Sequence, residues 1–167
     1  MINNFKKLLI CFILVIIQVS IINNGLLLNF YPNILLIYTI FISQKLDSPE
    51  PMILSIILGI MYDSLLSPNF GIRTLTFFLV SILINNVRGY IFDENYKTAI
   101  FYVLIGVFLY NFIINIIYFF LSYNINFQEI LSNIFSIETL LSIFIFMLFQ
   151  NEFEKFYLTR KEKIEKE

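Results

Sequence analysis

Asp63 is the residue whose type and surroundings most need a chemical explanation, because this carboxylate lies in a long apolar stretch, LGIMYDSLLSPNFGIRTL. Arg73 follows just after the turn SPNFG, so the two side chains are predicted to lie at nearly the same depth of adjacent helices. An opposite charge offsets the cost of placing an ion in apolar surroundings. We favour an ion pair between Asp63 and Arg73 over the alternative, in which Asp63 binds an ion or a partner's side chain.

Most catalytic chemistries lack their residues in this chain. The sequence has no His and a single Cys, Cys11, so it can form neither a zinc site, a disulfide, nor a Cys–His or Ser–His pair. There is no G-x-S-x-G, no H-E-x-x-H, no Gly-rich phosphate loop and no suitably spaced pair of carboxylates. A basic patch for nucleic acid is also missing. We therefore predict a protein that is not an enzyme, needs no cofactor or metal, and binds no nucleic acid.

The composition is that of an all-α integral membrane protein. Of 167 residues, 59% are hydrophobic and only 14% are charged, and the mean hydropathy is +0.82. A membrane helix needs roughly 20 apolar residues, or fewer where the bilayer thins. Six transmembrane helices are predicted, at about residues 8–28, 32–44, 52–66, 72–91, 98–122 and 136–149. They form one domain, residues 1–150, and a charged tail follows at 151–167.

The placement of basic residues predicts how this domain is oriented. With six spans, Arg73 is the one basic residue of eleven that does not fall on the side of the two termini. Cytoplasmic loops retain Lys and Arg, so both termini and the tail are predicted to be cytoplasmic. No internal repeat of the kind that transporters use is visible.

Polar residues within the spans fall in two rows at helical spacing. The row on the fourth span contains Thr74, Ser81, Asn85 and Arg88, and the row on the fifth contains Asn111, Asn115, Tyr118 and Ser122. Amides and hydroxyls in lipid must find partners, so we favour helix–helix packing over a substrate pathway. Gly59 lies one turn before Asp63 and would permit close approach of another helix. Glu138 follows Ser136 in the first turn of the sixth span, where a carboxylate is stabilised by free backbone N–H groups.

The segments YPNILLIYTIFIS and GIMYDSLLSPNFGIRTLTFFLV resemble the rod shape-determining protein MreD family. The resemblance covers about residues 30–92 by motif and the rest by hydropathy. The residues that carry it are Gly59, Asp63, Pro68 and Gly71. Arg73 departs from it, since the family looks to have Asn or another small polar residue at this position.

The resemblance implies a non-enzymatic scaffold of the cell-elongation complex in the bacterial cytoplasmic membrane. Such a scaffold binds MreC, connects indirectly to MreB, RodA and its penicillin-binding protein, and helps control peptidoglycan insertion and rod shape. The family's fold is similar to the six-helix substrate-binding subunits of energy-coupling-factor transporters, so a vitamin-uptake subunit is the alternative function. Against it, the first span offers few small residues for docking, and only the loop 123–136 could form a lid. The sequence also leaves open whether the protein forms a homodimer.

Overall fold

The computed structural model describes residues 4–24, 32–66, 69–88, 96–121 and 141–148. The helices in these ranges are α1 (Asn4–Asn24), α2 (Ile34–Lys45), α3 (Glu50–Leu66), α4 (Ile72–Arg88), α5 (Tyr96–Phe120) and a segment at 141–148, called α6 here. Within the described ranges no residue is in a strand, which confirms the predicted all-helical class.

The short helix α2 forms the centre of the bundle. It has 12 residues, which corresponds to a length of about 18 Å. Every residue from Leu35 to Gln44 is buried, because α1, α3, α4 and α5 all pack against it. The hydroxyl groups of Thr39 and Ser43 donate to carbonyl groups one turn earlier in α2, so these polar side chains are satisfied inside the core.

The start of α2 is fixed by side chains from three parts of the chain. The N-cap is Asn33, whose side-chain oxygen accepts from the backbone N–H of Leu36 at 3.0 Å. Gln18 of α1 bridges the two residues beside that cap, since its amide donates to the Pro32 carbonyl and accepts from the Ile34 N–H. The backbone N–H of Asn33 donates to the Ser142 hydroxyl of α6. The helix therefore begins at Ile34, two residues after the predicted start of the second span at Pro32.

One end of the bundle carries charged side chains, and we call it the charged end. There Lys7 of α1 pairs with Glu50 at the start of α3, and Lys7 is only 2% exposed. The Arg88 guanidinium, at the end of α4, lies 3.0 Å from the Asp47 carboxylate in the α2–α3 turn. Both acid residues thus tie a helix end to a neighbouring element.

The outer surfaces of α1 and α5 are apolar. Large hydrophobic side chains with 39% or more of their surface exposed occur along both helices: Leu8, Leu9, Phe12, Ile13, Ile16 and Ile17 of α1, and Phe101, Leu104, Phe108, Phe112, Ile116, Phe119 and Phe120 of α5. By length and composition, one described helix, Thr98–Phe120, is sufficient to cross a membrane, and the apolar α2 is shorter. The number of six spans therefore stays a prediction.

Candidate functional site at the α3–α4 hairpin

The carboxylate of Asp63 closes the hairpin between α3 and α4. Its side chain is in the last turn of α3 and is only 2% exposed. Oδ2 accepts from the backbone N–H groups of Gly71 and Thr74, at 2.9 and 3.0 Å, and from the Thr74 hydroxyl at 2.8 Å. Oδ1 accepts from the backbone N–H of Arg73 at 3.3 Å. Asp63 therefore caps the N-terminus of α4 from the preceding helix, where the helix dipole favours a negative charge.

Gly71 gives this turn its backbone shape. Its φ of 98° lies in the left-handed region, which L-residues with a side chain rarely adopt. Its carbonyl accepts the first intrahelical bond of α4, from Leu75, while its N–H reaches Asp63. A Cβ atom here would meet nothing within 4 Å, so the requirement for glycine is conformational.

The predicted ion pair between Asp63 and Arg73 is wrong. Among the described residues, the Arg73 guanidinium pairs with no carboxylate, and its Nη1 atom donates to the hydroxyl of Tyr110 on α5. Its Cζ atom lies 5.2 Å from the Tyr62 ring centre and 5.6 Å from the Tyr110 ring centre. The physical reason is that Asp63 already accepts four hydrogen bonds at the α4 N-terminus, while the Arg73 side chain points from α4 toward α5.

Gly59 marks the closest approach of α3 and α4. A Cβ atom at this position would lie 2.4 Å from the Thr74 Cα atom and 3.0 Å from its backbone nitrogen, which no rotation of a side chain can relieve. The contact is one turn below Asp63 on the same face of α3. Glycine here therefore allows the α4 N-terminus to come within hydrogen-bonding distance of the carboxylate.

The polar row on α4 joins that helix to the end of α2. The Ser81 and Ser43 hydroxyl oxygens are 2.8 Å apart. The Asn85 amide donates to the carbonyl groups of Ser43 and Leu46, and the Arg88 guanidinium donates to the Leu46 carbonyl. Ser43 lies in the last turn of α2 and Leu46 is its C-cap, so these carbonyl groups lack intrahelical donors. This row serves helix–helix packing.

Two members of the polar row on α5 make hydrogen bonds within their own helix. The Asn111 amide donates to the Val107 carbonyl at 3.1 Å, and the Asn115 amide donates to the Asn111 carbonyl at 2.7 Å. Both bonds stay within α5, one turn back. In the described part of the chain, neither amide donates to another helix, and the role of the whole row in helix packing stays a prediction.

Some predicted residues lie outside the described residues. They are Pro68, Ser122, Glu138, the lid candidate 123–136 and the tail 151–167. Conversely, sequence reasoning did not single out Gln18 or Tyr110. A glutamine between long apolar runs was a usable signal for Gln18, whereas Tyr110 is one of ten tyrosines and carries no distinguishing pattern.

Within the described residues, the side chains of this site connect neighbouring helices, and the Arg73 guanidinium lies beside two aromatic rings. No group of three or more His, Cys, Asp or Glu side chains there could hold a metal ion. The fold and the site thus define an all-helical protein whose buried polar groups fasten its helices together.

The chain belongs to the rod shape-determining protein MreD family, whose family model matches residues 2–159 of the 167. This confirms the resemblance seen in the sequence and extends it from residues 30–92 to nearly the whole chain. The family is membrane-associated and acts in rod shape determination. No curated protein and no solved structure matches the chain significantly.

Proposed function

We propose that this protein is a non-enzymatic membrane scaffold of the cell-elongation complex. It binds MreC, connects through MreC to MreB, RodA and the penicillin-binding protein of RodA, and helps control where peptidoglycan is inserted. The observation that carries this proposal is the family match over residues 2–159. Residues 1–150 form the transmembrane domain, and the tail 151–167 lies in the cytoplasm.

The geometry of the hairpin is consistent with a scaffold. Asp63, Gly59 and Gly71 each fix α3 against α4 by a contact that would be lost if the helices moved apart. Substrate-handling proteins need parts that open and close, whereas a docking platform needs elements held in one arrangement. In this proposal, the fixed hairpin keeps the surrounding apolar faces in the shape that a partner's membrane helix recognises.

The proposed topology has six spans and both termini in the cytoplasm of a bacterial cell. It is supported by the charged end, where Lys7, Asp47, Glu50 and Arg88 come together as loops on one side of a membrane would bring them. In this topology the hairpin end, which carries the α3–α4 turn, faces outward. A fold similar to that of the energy-coupling-factor subunits is part of this proposal, but no observation favours the function of a vitamin-uptake subunit.

The test is affinity purification of the tagged full chain from native membranes in mild detergent, with every co-purifying protein identified. We expect recovery of a single-span periplasmic protein of the MreC type together with wall synthases. An unrelated multi-span protein that carries the same tag controls for non-specific capture. Recovery of a pair of ATPases and a second transmembrane subunit in their place would contradict the proposal.

A further inference from the structure

We propose that Arg73 is a binding site for a lipid: its guanidinium binds the phosphate group of a membrane phospholipid at the hairpin end of the bundle. This inference rests on the proposed membrane-spanning arrangement. It concerns a ligand that is distinct from the protein partners of the proposed scaffold.

Arg73 has unused hydrogen-bonding capacity. A guanidinium has five N–H donors, and the Arg73 side chain uses one of them on the Tyr110 hydroxyl. Among the described residues it has no ion-pair partner, and the side chain is only half-buried. Asp63, the nearest carboxylate along the hairpin, is committed to the backbone of α4. The cation therefore has N–H donors available for an anion.

Two tyrosine rings constrain the orientation of the Arg73 guanidinium. The rings of Tyr62 and Tyr110 both lie within 6 Å of the Arg73 Cζ atom, so aromatic groups occupy the surroundings of the guanidinium and restrict its rotation. The remaining N–H donors lie along the edges of its plane. An edge with two parallel N–H groups matches two oxygen atoms of one phosphate.

The lengths of the neighbouring helices determine the depth of Arg73 in the proposed bilayer. Along α4, Arg73 lies about 22 Å from Arg88 at the charged end, and along α3, Asp63 lies about 20 Å from Glu50. The hydrocarbon core of a bilayer is about 30 Å thick. Beyond Tyr110, α5 continues for about 15 Å to Phe120. The α3–α4 hairpin is thus shorter than both the bilayer and its neighbour α5.

A bilayer adapts to a short hydrophobic element by thinning, which lowers the headgroups toward the end of that element. Around this hairpin the headgroup that descends meets the Arg73 cation. A lipid phosphate is favoured over an acidic side chain of a partner because the thinned leaflet supplies phosphate groups at this depth. An acidic side chain would itself have to cross apolar surroundings to reach it.

The test compares two lipids with identical acyl chains, phosphatidylglycerol and diacylglycerol, which differ in the phosphate headgroup. The purified full chain in non-ionic detergent is titrated with each lipid, and bound lipid is counted by native mass spectrometry. We expect Arg73→Gln to weaken phosphatidylglycerol binding about tenfold and to leave diacylglycerol binding unchanged. Arg88→Gln is the matched control, because that guanidinium is already committed to Asp47 and Leu46, and it should bind both lipids like the wild type.

Two further measurements keep the inference testable. Arg73→Lys keeps the charge but not the planar fork, so it should fold and retain part of the phosphatidylglycerol affinity; an affinity as low as that of Arg73→Gln or equal to that of the wild type contradicts the fork geometry. Inorganic phosphate is added to the wild type as a competitor. If it displaces the lipid at millimolar concentration, the source of the phosphate is free in solution and the lipid assignment is wrong.

Equal phosphatidylglycerol binding by the wild type and Arg73→Gln overturns the inference. If Arg73→Gln instead loses a co-purifying protein without any change in lipid binding, Arg73 serves a partner's carboxylate and the lipid assignment is again wrong. Because the lipid titration uses purified protein alone, its failure leaves the proposed scaffold function standing, and recovery of the wrong partners leaves the lipid result standing.

Discussion

Asp63 places its carboxylate against the backbone of the following helix, and replacing this carboxylate is expected to lower the stability of the fold. Its two oxygen atoms accept four hydrogen bonds from the first turn of α4 and the residue before it. Hydrogen bonds to a charged group contribute more than neutral ones, and a buried donor left without an acceptor is destabilising. We therefore expect substitution of Asp63 to lower the amount of folded protein before it changes the binding of any partner.

We expect Asp63→Ala to lower the free energy of unfolding by about 3 kcal/mol, because three backbone N–H groups at the α4 N-terminus lose their acceptor. The measurement is thermal unfolding of the purified protein in detergent, together with the yield of folded protein from membranes. Ser64→Ala is the matched control, since the Ser64 hydroxyl is exposed and donates only to the carbonyl of Ile60 in its own helix. A wild-type yield of Asp63→Ala with a clean loss of partner binding would show that Asp63 is a binding residue.

At this scale the sequence predicted which carboxylate matters but not what it binds. An acid within an apolar run needs a partner, and that requirement is visible in the printed residues. Two kinds of donor lay within reach, the Arg73 side chain and the free N–H groups at the start of the same helix. Which of these donors Asp63 binds depends on the distance between α3 and α4. The contact at Gly59 sets that distance, and a sequence pattern does not specify it.

The helices differ in how closely they pack, and two glycines show this difference. Gly59 faces the backbone of α4 at Thr74, whereas Gly106 of α5 faces the side chain of Ile40 in α2. A backbone cannot move without moving its whole helix, but an isoleucine can change rotamer. Substitution of the two glycines by alanine therefore separates backbone contact from side-chain contact.

We expect Gly59→Ala to destabilise the fold by about 3 kcal/mol and Gly106→Ala by about 1 kcal/mol, after the common gain in helix propensity. Both values come from the shift in unfolding midpoint in the same detergent. The two substitutions add the same methyl group to a buried helical position, so each controls for the other. A larger loss for Gly106→Ala would mean that α2 and α5, and not α3 and α4, form the tighter pair.

The two polar rows also give an element-scale prediction. Asn85→Ala removes the donor for two carbonyl groups at the end of α2, so we expect a loss of about 1.5 kcal/mol. Asn111→Ala removes a bond within α5 alone, and its effect should stay within about 0.5 kcal/mol. Unfolding of both variants under identical conditions measures the difference. Equal losses would indicate that the Asn111 amide has an interhelical role.

Both rows follow helical spacing in the sequence, so periodicity alone could not distinguish them. What distinguishes them is the neighbouring element. Asn85 faces the last turn of α2, where carbonyl groups lack intrahelical donors, while Asn111 finds its acceptor at Val107 in its own helix. The helical periodicity is a local property and was readable, whereas the chemistry of the neighbouring helix end depends on the packing of the bundle.

For the whole molecule, the proposed topology can be tested with single cysteines. In a Cys11→Ala background, a membrane-impermeant thiol reagent should label Asp47→Cys only from the cytoplasmic side and Phe70→Cys only from the outside. Both positions are exposed in the structure, so the reagent can reach them once it is on the correct side. Labelling of both positions from one side would contradict the proposed topology.

At this scale the helical class was readable from the length and hydropathy of the apolar segments, and the family from the motif around Asp63. The central position of α2 could not be predicted, because apolar residues lie on every side of α2 and no face of it is marked as the one that meets α1, α3, α4 or α5. Burial on all sides leaves no periodic pattern to read.

That complete burial of α2 has a consequence for biogenesis. In the proposed topology, a segment of about 18 Å is too short to span the hydrocarbon core by itself, and in the folded bundle its neighbours cover the faces that would otherwise contact lipid. Its start also needs Gln18 from α1. We expect α2 to leave the translocon paired with α1 and to become a stable part of the membrane only when α3 and α4 have been synthesised, so the earliest helices of this chain depend on the later ones.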